Sequence, residues 1–298
     1  MQDISRDGKV LVHDNLPRGA LIFGDLQAGR VRDLSWLDGS MLEDLSADGG
    51  RILFSELVHG QSSGGDVFVR RNDGSPALRL GEGEPLTLSP DGEWVATRSG
   101  DPPRKIVLLP TGVGEAKTVP LGDIEALDAT FVPGARRIAV FGTKPGVSNR
   151  VYLMDWEGRD VRVLGPEDPA TSPRFSPDGR RAVILSRKSG MQIWNLDGGL
   201  PTDLPGIDGS SERVIQWSDD GRFLYVRSLW VLPVELRRYE IATGRKTFWQ
   251  KLEPVDLAGV SGLERALVSR DGRYYAYSYW TKTKSDLYVI DGLQGKLW

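Results

Sequence analysis

The hydrophobic positions of this chain fall in short runs, each of which follows a similar polar corner. The clearest corner is FSPDGRR at residues 175–181, after which the apolar run AVILS continues. Seven copies of the unit are present, one of them degenerate: ISRDGKVLV (4–12), LSADGGRILF (45–54), LSPDGEWVAT (88–97), FVPGARRIAV (131–140), FSPDGRRAVI (175–184), WSDDGRFLYV (217–226) and VSRDGRYYAY (268–277). Their corners lie 41 to 51 residues apart. Such regular spacing indicates that one unit builds the whole chain.

Each corner has the composition of a tight β-hairpin turn. Proline presets φ at its position, Asp and Ser side chains hydrogen-bond to nearby backbone, and Gly closes the turn in the left-handed conformation. That conformation costs a residue with a Cβ about 1–2 kcal/mol, so it favours glycine. The degenerate copy has Gly134 and Ala135 in place of Asp-Gly. We therefore expect a different turn there.

The runs between the corners predict the fold. Each corner joins the first strand of its unit to a run rich in β-branched and aromatic residues; a second such run follows, and a shorter strand precedes the next unit. Four strands in about 40–45 residues is typical of a propeller blade. Frequent Gly and Pro argue against a helical solenoid, and a β-sandwich does not predict a fixed repeat. The sequence predicts an all-β, seven-bladed β-propeller of four-stranded antiparallel blades.

The prediction treats residues 1–298 as one propeller domain. Its blades lie at roughly 1–40, 41–83, 84–126, 127–170, 171–211, 212–260 and 261–298. The last blade offers only LQGKLW (293–298) as its outer strand. Either this tail or a segment upstream of Met1 is expected to close the ring.

Composition and charge narrow the function classes. The 298 residues carry a net charge of −3, which provides no basic field for nucleic acid or anionic lipid. Cysteine is absent, which excludes disulfides and thiolate metal sites. The N-terminus lacks the features of a secretory signal, and no apolar run approaches the roughly 20 residues that span a bilayer. We expect a soluble chain without direct membrane insertion.

The repeat resembles the TolB-like propeller superfamily. The segments RDLSWLDGS (32–40), LSADGGRILFSE (45–56) and YYAYSYWTKTKSDLYVIDGL (274–293) are similar to the propeller that follows the kinase domain in some bacterial transmembrane serine/threonine kinases. The resemblance implies a sensor or interaction module, on the extracytoplasmic side if the parent protein is membrane-anchored and otherwise cytoplasmic. The chain itself contains no kinase motif.

Candidate binding residues come from the loops and from the channel wall. The Asp-Gly corners should gather on one rim of the propeller, and the variable loops on the other. On that variable rim, basic loops between second and third strands face acidic loops between units, which predicts either compensating ion pairs or a mouth for a peptide, protein or small polar ligand. The candidate ligand-binding residues are Trp36, Asp44, Glu56, Arg98, Arg174, Arg227, Trp230, Tyr279 and Trp280. Among them, Trp36, Trp230 and Trp280 are expected to line one concave cage.

One repeat position predicts the wall of the central channel. The residues at this position are Asp3, Asp44, Thr87, Thr130, Arg174, Gln216 and Leu267, six of them polar. A water-filled channel accounts for this polarity. A calcium ion near Asp3 and Asp44 is the alternative, although calcium needs six to eight oxygen ligands. Otherwise no cofactor is expected.

The sequence contains few residues or motifs that indicate an enzyme. The GQSSG segment (60–64) has the pattern of a hydrolase nucleophile, but it lies in a loop without the strand–turn–helix context that exposes such a serine. The two histidines, His13 and His59, are too few for a multi-histidine metal centre. We therefore expect a non-enzymatic sensor or interaction module of a bacterial signalling protein. The alternatives are a propeller hydrolase or lyase with a carboxylate-bound metal, and a structural spacer.

These alternatives make different predictions for the channel. An enzyme requires clustered buried carboxylates with shifted pKa values, whereas a sensor predicts that they are absent.

Overall fold

The polar corners fold into hairpin turns that share one hydrogen-bond pattern. In the first described copy, the Ser46 hydroxyl donates to the Asp48 carboxylate at 2.6 Å and accepts the Arg51 backbone N–H at 2.8 Å. The pattern recurs in the corners that begin at Ser89, Ser176, Ser218 and Ser269. The glycines of these five corners have φ between 65° and 72°. The predicted turn chemistry is confirmed.

The degenerate corner uses a different turn, as expected. Gly134, one position earlier than the other glycines, takes the positive φ of 72°. The Ala135 backbone N–H donates to the Val132 carbonyl at 3.4 Å. Ala135 itself is not among the residues with positive φ, so no Cβ penalty arises.

The computed structural model describes residues 3–4, 9–14, 18–57, 65–99, 102–281 and 286–290. The strands of the first three repeat units are β1 (Asp3–Ile4), β2 (Val10–Asp14), β3 (Arg18–Asp25), β4 (Arg30–Asp33), β5 (Ser40–Leu45), β6 (Arg51–Glu56), β7 (Gly65–Arg71), β8 (Leu78–Leu88), β9 (Trp94–Arg98), β10 (Ile106–Pro110) and β11 (Lys117–Val119). The fourth and fifth units contribute β12 (Glu125–Phe131), β13 (Arg137–Thr143), β14 (Arg150–Asp155), β15 (Arg162–Leu164), β16 (Arg174–Phe175), β17 (Arg181–Ser186), β18 (Gly190–Asn195) and β19 (Thr202–Asp203). The last two units contribute β20 (Glu212–Trp217), β21 (Phe223–Ser228), β22 (Val234–Glu240), β23 (Lys246–Leu252), β24 (Val260–Val268), β25 (Tyr274–Thr281) and β26 (Asp286–Ile290).

These strands form an all-β propeller of antiparallel sheets. Within the described residues, four sheets have four strands each, in the orders β12-β13-β14-β15, β16-β17-β18-β19, β20-β21-β22-β23 and β24-β25-β3-β4. The second and third units share one sheet, β5 to β11, because β8 is long enough to pair with β7 through its first half and with β9 through its second. A smaller sheet contains β1, β2 and β26.

Apolar side chains between neighbouring units close the ring. The described part of the chain has six clusters of buried apolar residues, and each joins two neighbouring units. In the cluster that closes the ring, Phe23 and Ala276 pack with Leu42 of the second unit. The Arg270 backbone N–H also donates to the Ala47 carbonyl at 2.8 Å, which joins the last corner directly to the second.

The ring of the described residues therefore has six units, and the predicted number of seven blades is wrong. The first repeat copy forms no four-stranded blade of its own, because β3 and β4 complete the sheet of the last copy while β1 and β2 pair with β26. The expected blades at 1–40 and 261–298 thus exchange strands. A physical reason lies in the pairing lengths: β25 pairs with β3 over eight residues, whereas β26 has only five.

Some features of the sequence lie outside the described residues. They are the first corner at Asp7 and Gly8, the GQSSG segment with the nearby His59, and the tail at 293–298. The part of the chain that the structure describes consists of strands and loops. It contains no helix with the length and hydropathy of a membrane span.

Candidate functional site at the mouth of the central channel

The variable loops meet on the rim opposite the corners, as predicted. The Leu57 backbone N–H donates to the Gly39 carbonyl at 3.1 Å, and the Leu229 backbone N–H donates to the Ser211 carbonyl at 2.8 Å. Each bond joins a loop between second and third strands to a loop between units. This rim surrounds the open mouth of the channel.

Most basic side chains of this rim are paired with acidic ones. The pairs are Arg18–Asp38, Arg98–Glu84, Arg104–Glu125, Lys144–Asp123, Arg150–Glu167 and Arg187–Asp168. Such pairs near solvent contribute under about 1 kcal/mol each. The predicted compensating ion pairs are confirmed at these positions, and Arg227 differs from them because it forms no ion pair with a described carboxylate.

The corner side of the channel is narrow and polar. The repeat-position residues Asp44, Thr87, Thr130, Arg174, Gln216 and Leu267 all line a cavity of about 80 Å³ there. The predicted channel wall is confirmed for these six. Asp3, the first residue of the set, belongs to β1, and its side chain lies outside the described part.

Asp44 holds two units together across this narrow end. Its carboxylate accepts hydrogen bonds from the Thr87 hydroxyl, the Leu88 backbone N–H and the Leu45 backbone N–H, each at 2.8 Å. Burial raises the pKa of Asp44, although these bonds and nearby Arg174 oppose the shift. Because three donors already engage the Asp44 carboxylate, little of it is left for a calcium ion, and the Asp3 side chain of the predicted calcium site lies outside the described part of the chain. Among the described residues, no three His, Cys, Asp or Glu side chains are placed to hold a metal ion.

A wider cavity of about 320 Å³ opens at the mouth, and we call it the arginine cavity. Its charged and aromatic lining comprises Asp128, Arg174, Arg213, Arg227, Trp230, Glu264 and Arg265. Arg213 of β20 lies directly opposite Arg227 of β21 in the strand register. Like charges in that relation destabilise a sheet. Arg174, Arg213 and Arg227 form no ion pair with any carboxylate of the described residues.

The electrostatics of this cavity reflect crowded positive charge. Burial, together with the nearby positive charges of Arg265 and Arg213, lowers the pKa of Arg227 to about 10. Burial lowers the pKa of Arg213 as well, with a contribution from Arg174. The buried Nη1 atom of Arg213 and Nε atom of Arg227 have no hydrogen-bond partner within the described chain. Each such atom costs about 1–3 kcal/mol of folding free energy.

A second cavity of about 320 Å³ adjoins the first, and we call it the glutamate cavity. It is lined by Glu43, Ser55, Glu84, Trp280 and the shared pair Glu264 and Arg265, among others. The Glu43 carboxylate pairs with the Arg265 guanidinium at 2.9 Å and accepts the Ser55 hydroxyl at 3.2 Å. Burial nevertheless raises the pKa of Glu43 to about 7.

The channel therefore contradicts the expectation that a sensor would lack clustered buried carboxylates. Glu43 and Asp44 are adjacent in the chain, and burial raises the pKa of both. These two carboxylates are buried because they join neighbouring units of the ring. Both carboxylates sit in the inner strand β5, where they bond to neighbouring units: Glu43 to Arg265 and Asp44 to Thr87.

Replacing Glu43 with glutamine should change how stability depends on pH. A carboxyl whose folded pKa is raised from 4.5 to about 7 favours the folded state below pH 4.5, and that contribution is lost as the pH rises to 7. Relative to Glu43→Gln, the wild type should lose on the order of 2–3 kcal/mol of unfolding free energy over this interval. Urea unfolding of both proteins across the interval measures the difference. If the free energies of unfolding of the two proteins changed in parallel with pH, the pKa of Glu43 would not be raised in the folded protein.

The structure distributes the predicted site residues among several places. Arg174, Arg227 and Trp230 line the arginine cavity, and Trp280 lines the glutamate cavity. Asp44 lies at the narrow end. The three predicted residues of the arginine cavity are thus brought together.

The other predicted residues lie in supporting positions. Glu56 is 2% exposed and accepts the Ser40 hydroxyl and the Leu37 and Gly39 backbone N–H groups, so it anchors the loop between β4 and β5. Arg98 pairs with Glu84 and donates to the Leu127 carbonyl, which joins two units.

The aromatic cage is not formed. The Trp36 ring lies 5.7 Å from the Arg70 guanidinium, and Tyr279 stacks on Tyr277 at 6.2 Å between ring centroids. Trp230 and Trp280 line different cavities, and Trp36 lines neither of them. The prediction of one concave surface for the three tryptophans is wrong: Trp230 lies between β21 and β22 of a different sheet, and Trp36, which follows β4 in the sheet that contains Trp280, contacts Arg70 instead.

Sequence reasoning missed Arg213, Arg265 and the glutamates Glu43 and Glu264. A register shift interrupts β20 between Val214 and Gln216, and another interrupts β24 between Leu263 and Arg265. A bulge redirects the side chains on either side of it, so strict alternation from the corner does not locate these residues. The signal that could have found them is the occurrence of Arg in both strands of the hairpin at 213 and 227.

The proteins similar to this chain identify its fold but not its function. No family model matches the chain. A curated relative, the uncharacterized peptidase YuxL of Bacillus subtilis (strain 168), is 27% identical over 172 residues, which are 53% of this chain and 24% of the relative. This chain thus spans about a quarter of the length of that relative.

Solved structures support a TolB-like β-propeller. A putative TolB from Agrobacterium tumefaciens aligns with a TM-score of 0.62 at 17% identity, covering 90% of this chain and 100% of the other. The periplasmic gluconolactonase of Pseudomonas aeruginosa aligns with a TM-score of 0.52 at 17% identity, covering 91% and 99%. At such identities the likeness shows the fold alone, and the named functions differ.

Proposed function

We propose that this propeller is a non-enzymatic recognition module that binds a peptide, a protein or a small polar ligand at the mouth of its channel. The observation that carries the proposal is the pair of adjoining cavities with opposite charge, which share Glu264 and Arg265. A peptide crossing the mouth would meet cationic and anionic groups in fixed order. Complementary charges of this kind provide specificity.

Trp230 supports the proposal from the edge of the arginine cavity. Its side chain is 89% exposed, although tryptophan is a costly residue to leave in water. Its backbone has a positive φ of 62°, which is strained for a residue with a Cβ. The indole N–H donates to the Ser210 carbonyl at 3.3 Å and holds the ring in place. A fixed, exposed aromatic ring is typical of binding hot spots.

We further propose that the module serves as the sensor of a bacterial signalling protein. The support is the resemblance of its segments at 32–56 and 274–293 to the propellers of transmembrane serine/threonine kinases. In that setting the parent protein is membrane-anchored and the propeller carries the ligand signal to a separate catalytic domain.

A second candidate function, a propeller hydrolase or lyase, is favoured by Glu43. A carboxyl group with a pKa of about 7 beside a cavity can both donate and accept a proton near neutral pH. Two names among the similar proteins, a peptidase and a gluconolactonase, belong to enzymes.

Selection of binders from a random peptide library tests the proposal. Selected peptides should bind the wild type and lose roughly tenfold or more in affinity for Trp230→Ala, because an exposed aromatic hot spot contributes at least this much. Leu200→Ala is the matched control, since Leu200 is equally 89% exposed but lies outside both cavities. It should leave affinity unchanged.

Two outcomes would contradict recognition without catalysis. Equal binding to both variants would place the peptide elsewhere on the surface. Cleavage of a selected peptide by the wild type but not by Glu43→Gln, followed by mass spectrometry, would establish the enzyme candidate instead.

A further inference from the structure

We infer that the arginine cavity captures the C-terminal carboxylate of a peptide whose last residue is apolar. The inference rests on the proposed recognition function and names the ligand group. Three arginines without a carboxylate partner line the same cavity: Arg174, Arg213 and Arg227. A carboxylate placed among them would supply the partner that each of them lacks.

The strand register makes this arrangement unfavourable without a ligand. Arg213 and Arg227 are directly opposite each other on β20 and β21. Each has one buried guanidinium nitrogen without a hydrogen-bond partner in the described chain. By contrast, Arg98, Arg104 and Lys144 on the same rim all have carboxylate partners. The chain thus pairs most of its rim charges directly but leaves these arginines without an ion pair among the described residues.

The acidic groups of the cavity are oriented toward other donors. The Asp128 carboxylate accepts the Ser172 hydroxyl at 2.6 Å and the Ala129 backbone N–H at 2.7 Å. The Arg227 guanidinium reaches only the backbone carbonyl of Glu264, at 3.4 Å. Asp128 attracts Arg174 and Glu264 attracts Arg227, but among the described residues neither acid forms a direct ion pair with these arginines. Both would repel a doubly charged phosphate more strongly than a singly charged carboxylate.

Much of the remaining cavity wall is apolar, beside the hydroxyl residues Thr171 and Ser172. The apolar part includes Val183, Leu185, Met191 and Leu229. A volume of about 320 Å³ lies at the lower end of the range for small-ligand pockets, roughly 300–1,000 Å³. An apolar side chain attached to a carboxylate matches a wall that combines arginines with aliphatic groups. The last residue of a peptide has this chemistry.

Calorimetric titration with defined probes tests the inference. The probes are N-acetyl-Ala-Ala-Leu with a free carboxylate, the same peptide as its amide, and inorganic phosphate. The free acid should bind roughly tenfold or more tightly than the amide, since hydrogen bonds to a charged group are the stronger ones. It should also bind more tightly than phosphate.

Arg213→Gln and Arg227→Gln serve as the site variants. Each should weaken binding of the free acid by roughly tenfold or more while leaving binding of the amide unchanged. Each should also unfold at the same or a higher urea concentration, because the substitution removes like-charge repulsion. Arg180→Gln is the matched control, because Arg180 is exposed in a corner on the opposite rim.

The results that would contradict the carboxylate inference differ from those that would contradict the proposed function. Equal binding of acid and amide, absence of binding by the acid, or tighter binding of phosphate would each overturn the carboxylate inference while leaving recognition at the mouth intact. Loss of folding in both arginine variants would assign the pair a structural role and overturn it as well. Failure of the proposed function would appear separately, as library peptides indifferent to Trp230→Ala.

Discussion

Replacing Trp217 by alanine is expected to lower the free energy of unfolding by about 3–5 kcal/mol, the range for truncating a large aromatic side chain in a packed core. Trp217 is fully buried in the cluster that joins the fifth and sixth units, together with Met191 and Tyr239. The Arg181 guanidinium lies over the ring, 4.9 Å from its centroid. The substitution would remove a side chain that contacts both units.

The expected loss includes a hydrogen bond with functional meaning. The Trp217 indole N–H donates to the Arg174 carbonyl at 2.8 Å. Arg174 belongs to β16, which is only two residues long, so few other bonds fix its backbone. Trp217 therefore positions an arginine of the proposed carboxylate site. Trp217→Phe should cost less, about 1–2 kcal/mol, because it keeps most of the apolar contact and loses the hydrogen bond.

Urea unfolding followed by circular dichroism measures these changes. Trp230→Ala is the control with the same substitution in an exposed side chain, and it should change stability by no more than about 0.5 kcal/mol. If Trp217→Ala were no more destabilising than Trp230→Ala, the cluster between the fifth and sixth units would not stabilise the ring.

The corners were predictable because their interactions are local. Ser46, Asp48 and Arg51 hydrogen-bond within six residues of chain, and the Ser and Asp recur in every described regular copy, while the last position contributes only its backbone N–H. Even the departure at Gly134 and Ala135 followed from which residue tolerates a positive φ. The rim ion pairs were predictable for a similar reason, since loop position follows from the corners.

The number of units was not predictable from the same pattern. Seven similar copies do not specify which strand pairs with β25, because β3 and β26 are both apolar and of strand length. The structure resolves this through a contact between residues 248 positions apart, the ion pair of Arg273 with Asp25, and through the long register of β25 with β3. Pairing over such a separation leaves no local signal in the sequence.

The arginine cavity was found only in part. Arg174 was predicted because it occupies the repeat position of the channel wall, and Arg227 because it begins a loop. Arg213 and Arg265 escaped because register shifts in β20 and β24 move side chains relative to the corner. The absence of partners for Arg213 and Arg227 depends on three-dimensional distances, which no spacing in the chain encodes.

Replacing Gly179 by alanine should also destabilise the protein strongly, by about 2–5 kcal/mol. Gly179 has a φ of 68°, where any residue with a Cβ is strained by about 1–2 kcal/mol. A Cβ there would also approach the Pro133 backbone carbonyl of the preceding corner to less than 3.0 Å. Because that neighbour is backbone and cannot rotate away, overpacking adds about 1–3 kcal/mol.

Gly134 provides a matched control that separates these two costs. Its φ of 72° is nearly the same, but a Cβ added to Gly134 would meet no atom within 4 Å. Gly134→Ala should therefore show the conformational cost alone, about 1–2 kcal/mol. The difference between the two variants measures the close packing of one corner against the next.

The difference in stability between Gly179→Ala and Gly134→Ala tests how neighbouring units are held together at the narrow end of the channel. Neighbouring corners are also joined there by the Asp219 backbone N–H, which donates to the Arg270 carbonyl at 3.2 Å, and by the Arg181 guanidinium, which donates to the Gly221 carbonyl at 3.4 Å. If corner-to-corner packing stabilises the ring, Gly179→Ala must unfold at a clearly lower urea concentration than Gly134→Ala. Equal midpoints would mean that adjacent corners can separate without cost. The apolar clusters between the sheets would then be sufficient to hold the units together.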